Sequence, residues 1–324
     1  MSGSSIIAKN ITKHFSNNTS PSLDNISFEI NKAEFICILG KSGCGKTTLL
    51  KLINRLIEPT KGKIWINDKD IAQTSPVELR RGIGYVIQQI GLFPHMNVYE
   101  NISSVPNILG WDKNKTSQRV DYLLDLVHLD AEIYRKKYPA QLSGGQQQRI
   151  GIARALAADP EILLMDEPFG ALDPVTRSSM QEELSSIQKK LYKTILFVTH
   201  DINEALKLAD RILILNEGKI EQFDSPKNIL INPSTPFVSS LVNSEDIFQI
   251  MSRLKAIDIL NKEIYNPSGA SVTVSFNDNL KSIFTLMIAQ NSELALVNDE
   301  NNNIIGSITF DTLKKLFSGE KLDV

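Results

Sequence analysis

Only two cysteines, Cys37 and Cys44, occur in 324 residues. That excludes a disulfide framework, and both fit better as small packing residues than as redox groups. Nowhere does the chain carry the ~18 apolar residues needed to cross a bilayer. The polar start Met1-Ser2-Gly3-Ser4-Ser5 also lacks the charged-then-apolar pattern of a signal peptide. No charge sign dominates: the formal net charge is −2, which removes any global attraction for nucleic acid, so no nucleic-acid partner is expected. With 22% charged and 42% hydrophobic residues, disorder is excluded as well. The length suits one large domain and one small one.

What is present begins with Gly40-Lys41-Ser42-Gly43-Cys44-Gly45-Lys46-Thr47, which fits the phosphate-loop spacing G-x-x-x-x-G-K-[ST]. Before it, residues 34–39 are mostly apolar without alternation, as in a strand buried on both faces of a parallel sheet. After it, Thr48-Leu49-Leu50-Lys51-Leu52-Ile53 opens an apolar helical face. Strand, glycine turn and helix start bring unpaired amides and the positive helix end to one point, an anion site. Lys46 is then placed to reach the β- and γ-phosphates, and the Thr47 hydroxyl to ligate Mg2+. Nucleotide binding is the expectation, against a glycine-rich turn that matches by chance. Cys44 is expected to be open to alkylation without nucleotide.

Residues 6–30 alternate as short antiparallel strands do, around a loop at 17–22. Phe15, before that loop, is either a base-stacking platform or an ordinary core aromatic. Residues 84–87 predict a strand running into Gln88, whose amide is placed to touch Mg2+ or an attacking water. From 92 to about 139 the pattern turns helical, most clearly at 119–127. Residues 91–98 are apolar for a loop and either meet a partner or pack their own subdomain.

Leu142-Ser143-Gly144-Gly145-Gln146-Gln147-Gln148-Arg149 sets an N-cap and two glycines ahead of an apolar helix, a second anion-binding helix start. Ile162-Leu163-Leu164-Met165 predicts a buried strand ending in Asp166-Glu167-Pro168. Adjacent carboxylates there require a cation or a mobile proton, unless the turn is simply solvated. Asp166 suits Mg2+ through its water shell, and Glu167 suits polarising an attacking water. A loop at 170–174 precedes a helix to about 191. The strand at 194–198 then ends in Thr199-His200-Asp201, with His200 placed as a donor or orienting group.

These strings, in this order, resemble the ATP-binding subunit of an ABC transporter over residues 5–242. The resemblance implies an α/β fold: a P-loop NTPase with a RecA-like core, an antiparallel β subdomain and an inserted helical subdomain at about 92–155. It implies that ATP is bound with Mg2+ and hydrolysed. Phe15 corresponds to the adenine-stacking aromatic, usually tyrosine. Gly40, Lys41, Ser42, Gly43, Cys44, Gly45, Lys46 and Thr47, with Thr48, correspond to the Walker A loop, and Gln88 to the Q-loop. Ser143, Gly144, Gly145 and Gln146 correspond to the signature, and Asp166 and Glu167 to Walker B with its general base. Asp173 corresponds to the D-loop and His200 to the switch histidine. Metal contacts then fall to Thr47, Gln88 and Asp166, and catalysis to Glu167, His200 and Gln88.

The family works as a homodimer of ATPase subunits, with Ser143 and Gly145 of one copy closing over the other's ATP. It acts on separate membrane permease subunits, supplied indirectly by an extracytoplasmic substrate-binding protein, so the chain is expected at the cytoplasmic face of the cell membrane. The loop at 91–98 corresponds to the permease dock. The wording of residues 85–95 is especially similar to the quaternary-amine uptake subfamily, which imports glycine betaine, carnitine, choline or proline betaine. Alternatives are another small solute, such as an amino acid or ergothioneine-like betaine, or a soluble ABC ATPase acting on nucleic acid.

Residues 243–324 fall outside that resemblance. Strand patterns at 271–275, 294–297 and 304–308, helical spacing of Leu280, Ile283, Phe284 and Met287, and a closing helix from Leu313 make a small α+β domain. The order resembles a single cystathionine-β-synthase (CBS) module. Such modules pair, so a partner would come from the second subunit. The ribose-binding aspartate of that family is replaced by Thr312, three residues after Thr309. The expected role is dimerisation or salt sensing, or binding of a nucleotide ligand, with 243–270 a degenerate first half or a linker.

Overall fold

The computed structural model describes residues 4–16, 20–88, 91–242, 247–261 and 272–318. Two compact units form, Met1–Phe223 and Asp224–Val324.

In the first unit, Ser4–Lys13 (β1) and Leu23–Asn31 (β2) pair antiparallel, with Ile7 opposite Glu29 and Ala8 opposite Phe28. From Ile26 to Ile30, β2 alternates buried and exposed, because successive side chains face opposite sides of the sheet. The next strand, Phe35–Leu39 (β3), is buried throughout. Lys61–Ile66 (β4) and Lys69–Asp70 (β5) complete a sheet of order β2-β1-β4-β5.

The second sheet combines β3 with Ile83–Val86 (β6), Ile162–Asp166 (β7), Thr194–Thr199 (β8), Arg211–Asn216 (β9) and Lys219–Asp224 (β10), in the order β10-β9-β3-β8-β7-β6. β3 runs parallel to β8 and β9, and β7 parallel to β6 and β8. Burial on both faces explains why β3, β7 and β8 lack alternation in sequence. Because the strands are parallel, the carboxyl ends of β3, β7 and β8 deliver Gly40, Glu167 and His200 to one edge, where α/β sheets bind ligands.

The helix Lys46–Ile53 buries Leu49, Leu50, Leu52 and Ile53 in a core shared by the two sheets, among Ile11, Ile30, Ile38 and Leu213. At ~1.5–3 kcal/mol per buried aliphatic side chain, that packing fixes where the helix N-terminus points. The helix starts at Lys46, two residues ahead of the apolar face seen in sequence. The helical span expected at 92–155 contains Val98–Ile108, Lys113–Leu126 and Ala131–Tyr134, and its last helix, Gly144–Leu156, runs one residue past it.

The two readings of the apolar loop divide residue by residue. Leu92 and Met96 are half-buried and Val98 buried, whereas Phe93 is 42% exposed. The loop backbone is pinned by the buried Asn101. Its amide donates to the carbonyls of Phe93, Met96 and Asn97, and its Oδ1 accepts from Phe93 N–H at 2.8 Å. The Arg154 guanidinium lies 5.3 Å from the Phe93 ring centroid and donates to Gly91 O at 2.8 Å.

In the second unit, Val272–Ser275 (β11) pairs parallel with Leu294–Asn298 (β12), and β12 pairs antiparallel with Ile304–Thr309 (β13). Helices Leu280–Ala289 and Phe310–Ser318 follow β11 and β13. This is the strand-helix-strand-strand-helix order read from the sequence, with the last helix starting three residues earlier than Leu313; Ser271 lies outside the described residues. Of 243–270, the described part is not a bare linker. Helices Ile247–Arg253 and Ala256–Ile259 pack there, and Asn261 exchanges backbone hydrogen bonds with Ser307 at 3.1 and 2.9 Å.

The second unit begins at Asp224, ahead of the motif-based boundary at 242. A physical reason is the ion pair from Lys227 Nζ to Asp258 Oδ1 at 2.6 Å, which ties helix Pro226–Ile231 to this unit.

Candidate functional site

The loop leaving β3 needs glycine for two different reasons. At Gly45, with φ +111°, a Cβ would sit 2.6 Å from Ser22 O, so the backbone closes on its neighbour. At Gly43, with φ +82°, the Cβ direction is open, and the residue borders a cleft of about 890 Å³. Gly45 caps the helix without a side chain, leaving the first-turn amides to an anion. Lys41, Ser42 and Gly43 are exposed, and Thr48 is half-buried in the first helical turn. Lys46 is buried and arches back over its own loop, its Nζ donating to Gly40 O at 2.7 Å and Lys41 O at 2.9 Å. Cys44 is buried, and that burial raises its thiol pKa despite the nearby Lys46 ammonium, so alkylation is retarded rather than favoured.

At the tip of β7, Asp166 Oδ1 accepts from the Thr47 hydroxyl at 3.0 Å. Burial pushes the Asp166 carboxyl above the usual range, the Glu167 charge adds to this, and the Thr47 hydrogen bond, Lys51 and Lys46 oppose it. A carboxylate so desolvated gains from a cation. The hard-oxygen pair fits Mg2+, which is held by one or two protein oxygens plus water and phosphate. Among the described residues no group of three or more His, Cys, Asp or Glu forms a metal cage.

Glu167 adopts φ +44°, rare for a residue with a Cβ, and its N–H donates to Val198 O at 3.1 Å. The strained turn brings its Oε2 to 3.1 Å from Gln88 Nε2 and 3.5 Å from His200 Nδ1. Thus Gln88, Glu167 and His200, far apart in sequence, share one carboxylate oxygen. β6 stops at Val86 and Ile87 is 41% exposed, so Gln88 stands beyond the strand, its amide on Glu167.

The other predicted residues lie on separate elements. Phe15 is 38% exposed with Lys13 Nζ 5.1 Å from its ring centroid, which excludes a core role. Ser143 caps helix Gly144–Leu156, accepting from Gln146 N–H at 3.3 Å, while Gln146 Oε1 accepts from Ser143 N–H at 3.0 Å. Gln146 Nε2 donates to Tyr134 OH at 3.1 Å. Gly144 is open, whereas a Cβ on Gly145 would lie 2.7 Å from Thr176 Cγ2. Asp173 caps helix Pro174–Leu191, accepting from Thr176 N–H at 3.0 Å; hydrogen bonds from Thr176 hold its carboxyl below the usual range.

Sequence reasoning missed Asn101, Arg154 and the Arg149–Glu183 ion pair. It also missed Glu204, buried in the helix Ile202–Leu208 that follows His200. The signal for Glu204 was its place beside Ala205 and four residues ahead of Leu208, on the apolar side of that helix.

The ABC transporter family profile matches residues 23–170. The chain is 49% identical over 291 residues to the carnitine transport ATP-binding protein OpuCA of Listeria monocytogenes, covering 90% of this chain and 72% of that one. To the osmoprotectant import ATP-binding protein OsmV of Salmonella typhimurium it is 44% identical over 303 residues, covering 93% and 78%. The dimeric ATP-binding cassette MJ0796, in a post-hydrolysis state bound to ADP and Pi, matches with TM-score 0.61 and 34% identity over 68% of this chain and 98% of that chain. With its phosphate loop, paired carboxylates and strand-end histidine gathered at one sheet edge, this chain belongs to the ABC transporter family, among its ATP-binding subunits.

Proposed function

We propose that the chain hydrolyses ATP, as one of two identical subunits, to drive uptake of a quaternary-amine solute through separate permease subunits at the cytoplasmic face of the membrane. The observation that carries the ATPase reading is the pairing of Thr47 with Asp166 beside the convergence of Gln88 and His200 on Glu167. Support for the solute class comes from the relatives, which are named for carnitine and osmoprotectant transport. Support for the pair comes from the dimeric cassette.

Lys46 exchanges its two loop carbonyls for phosphate oxygens. Thr47 and Asp166 would hold Mg2+, which when bound would supply positive charge to the triphosphate. Glu167 accepts the proton of the attacking water, and Gln88 and His200 keep its carboxylate oriented. Phe15, exposed after β1, offers a ring face to the base. Ser143 and Gly145 offer the helix start that receives the partner copy's triphosphate, so binding closes the pair and hydrolysis releases it. Phe93, held out by the pinned loop, offers an apolar contact to the permease, which in turn would receive solute from an extracytoplasmic binding protein.

For the second unit, the strand order and pairing support a CBS-like regulatory module. The Thr309 and Thr312 hydroxyls lie 2.9 Å apart and Thr312 N–H donates to Thr309 Oγ1 at 3.1 Å. A neutral, already engaged hydroxyl there favours pairing of two copies or salt sensing over capture of a nucleotide.

The test is accumulation of labelled glycine betaine, carnitine and choline in cells carrying the permease with wild-type chain, no chain, or the E167Q variant. Accumulation of at least one of them only with the wild type is expected. Equal uptake in all three strains would overturn the reading.

A further inference from the structure

The side chain of Glu204 is 8% exposed, and its carboxylate joins two parts of the site. Its Oε2 accepts from the buried Thr199 hydroxyl at 2.7 Å, and the same hydroxyl accepts from Asp201 N–H at 3.0 Å, so the His200 peptide is clasped from both sides. Its Oε1 accepts from Gln181 Nε2 at 3.3 Å and faces Arg177 Nε at 3.9 Å. Arg177 Nε is buried with no hydrogen-bond partner among the described residues, while its Nη2 donates to Leu172 O at 3.0 Å, one residue before Asp173. A cavity of about 40 Å³ separates this group from Glu167.

Burying a carboxylate is costly unless its partners compensate, and an apolar residue would pack the inner face of this helix at less expense. Each Glu204 oxygen instead serves a different element: one the turn that carries His200, the other the helix headed by Asp173. We propose that Glu204 is a positioning residue. It sets the orientation of His200 toward Glu167 and makes the Asp173 helix and the His200 turn move together. The proposal rests on the role given to His200 above.

The test is steady-state ATP hydrolysis by the full-length chain as E204Q, T199V, H200A and the H200A/E204Q double variant, with melting temperature and nucleotide titration alongside. E204Q and T199V should each lower kcat about tenfold, as expected for loss of one hydrogen bond to a charged group, with KM within about twofold. Adding E204Q to H200A should cause no further loss, because Glu204 acts through His200. Wild-type kcat in E204Q, losses that multiply in the double variant, or a drop that tracks melting temperature would each overturn the proposal. H200A turning over at the wild-type rate would instead overturn the role of His200 itself, whatever E204Q does. T199V keeps the test open should the Glu204 variants fold poorly, since it removes the same clasp with almost no change in volume.

Discussion

Replacing Asp166 by asparagine should have opposite effects with and without ligand. In the free chain, burial and the Glu167 charge make the ionised form of Asp166 unfavourable on balance, even after the Thr47 hydrogen bond, Lys51 and Lys46 are counted. Asparagine keeps an oxygen for the Thr47 hydroxyl and drops the charge. Nearby lysines screen the penalty, so D166N should gain about 1 kcal/mol or less, a rise of roughly 2–4 °C in melting temperature for a domain of this size. The pH dependence has the same origin. A carboxyl whose folded pKa is raised binds its proton more tightly in the folded chain, so its contribution is fullest below the ordinary aspartate value and is lost as pH rises through the folded value. The D166N advantage should therefore be present at neutral pH and fade in acid. With Mg-ATP at one hundred times its dissociation constant, the wild type gains ~2.7 kcal/mol by mass action, roughly 5–10 °C. D166N should gain little, so the order of stability reverses. Differential scanning calorimetry with and without Mg-ATP reads this directly. A free D166N chain that melts several degrees below the wild type, or a Mg-ATP shift that survives the substitution, would refute the reasoning.

E167Q should lower kcat by ~10²–10⁴, the usual worth of a positioned base, while ATP drives the chain to a stable pair visible by size-exclusion chromatography; turnover within threefold of wild type would count against Glu167 as the base. N101A removes the anchor of the 93–97 backbone, and leaving buried polar groups unpaired should cost ~2–3 kcal/mol, read as a lower denaturation midpoint together with weaker co-purification of the permease. Cys44 should react with N-ethylmaleimide at least about tenfold more slowly than a free peptide thiol at pH 7.5, because a raised pKa and burial cut thiolate and access; mass spectrometry over time checks it, and a peptide-like rate would show that the loop opens.

Much of the candidate site is legible in the sequence because its chemistry is local. The phosphate loop, the serine-capped helix and the Asp166-Glu167 pair each lie in a run of a few residues whose spacing sets a turn or a helix start. The buried strands β3, β7 and β8 announced themselves by apolar runs without alternation. Burial, an outcome of packing, bears on two alternatives left open in the chain: Phe15 lies outside the core, and loop 91–98 divides between buried Val98 and exposed Phe93.

What tertiary structure alone decided is which polar groups meet. Gln88, Glu167 and His200 sit on different strand ends, and only the order of the parallel sheet, with β7 beside both β6 and β8, brings them onto one oxygen. The left-handed backbone at Glu167, the Asn101 clamp and the Glu204 joint follow the same rule. At Glu167 and Glu204 the partners come from other elements, a pairing with no local pattern, whereas Asn101 meets Phe93, Met96 and Asn97 just ahead of its own helix, a contact that the fold of the loop decides. The motif strings, with the family they resemble, named the candidate parts of an ATP site in this chain. The sheet order settled their contacts, because hydrogen bonds act over about 3 Å, a distance that only the folded chain sets.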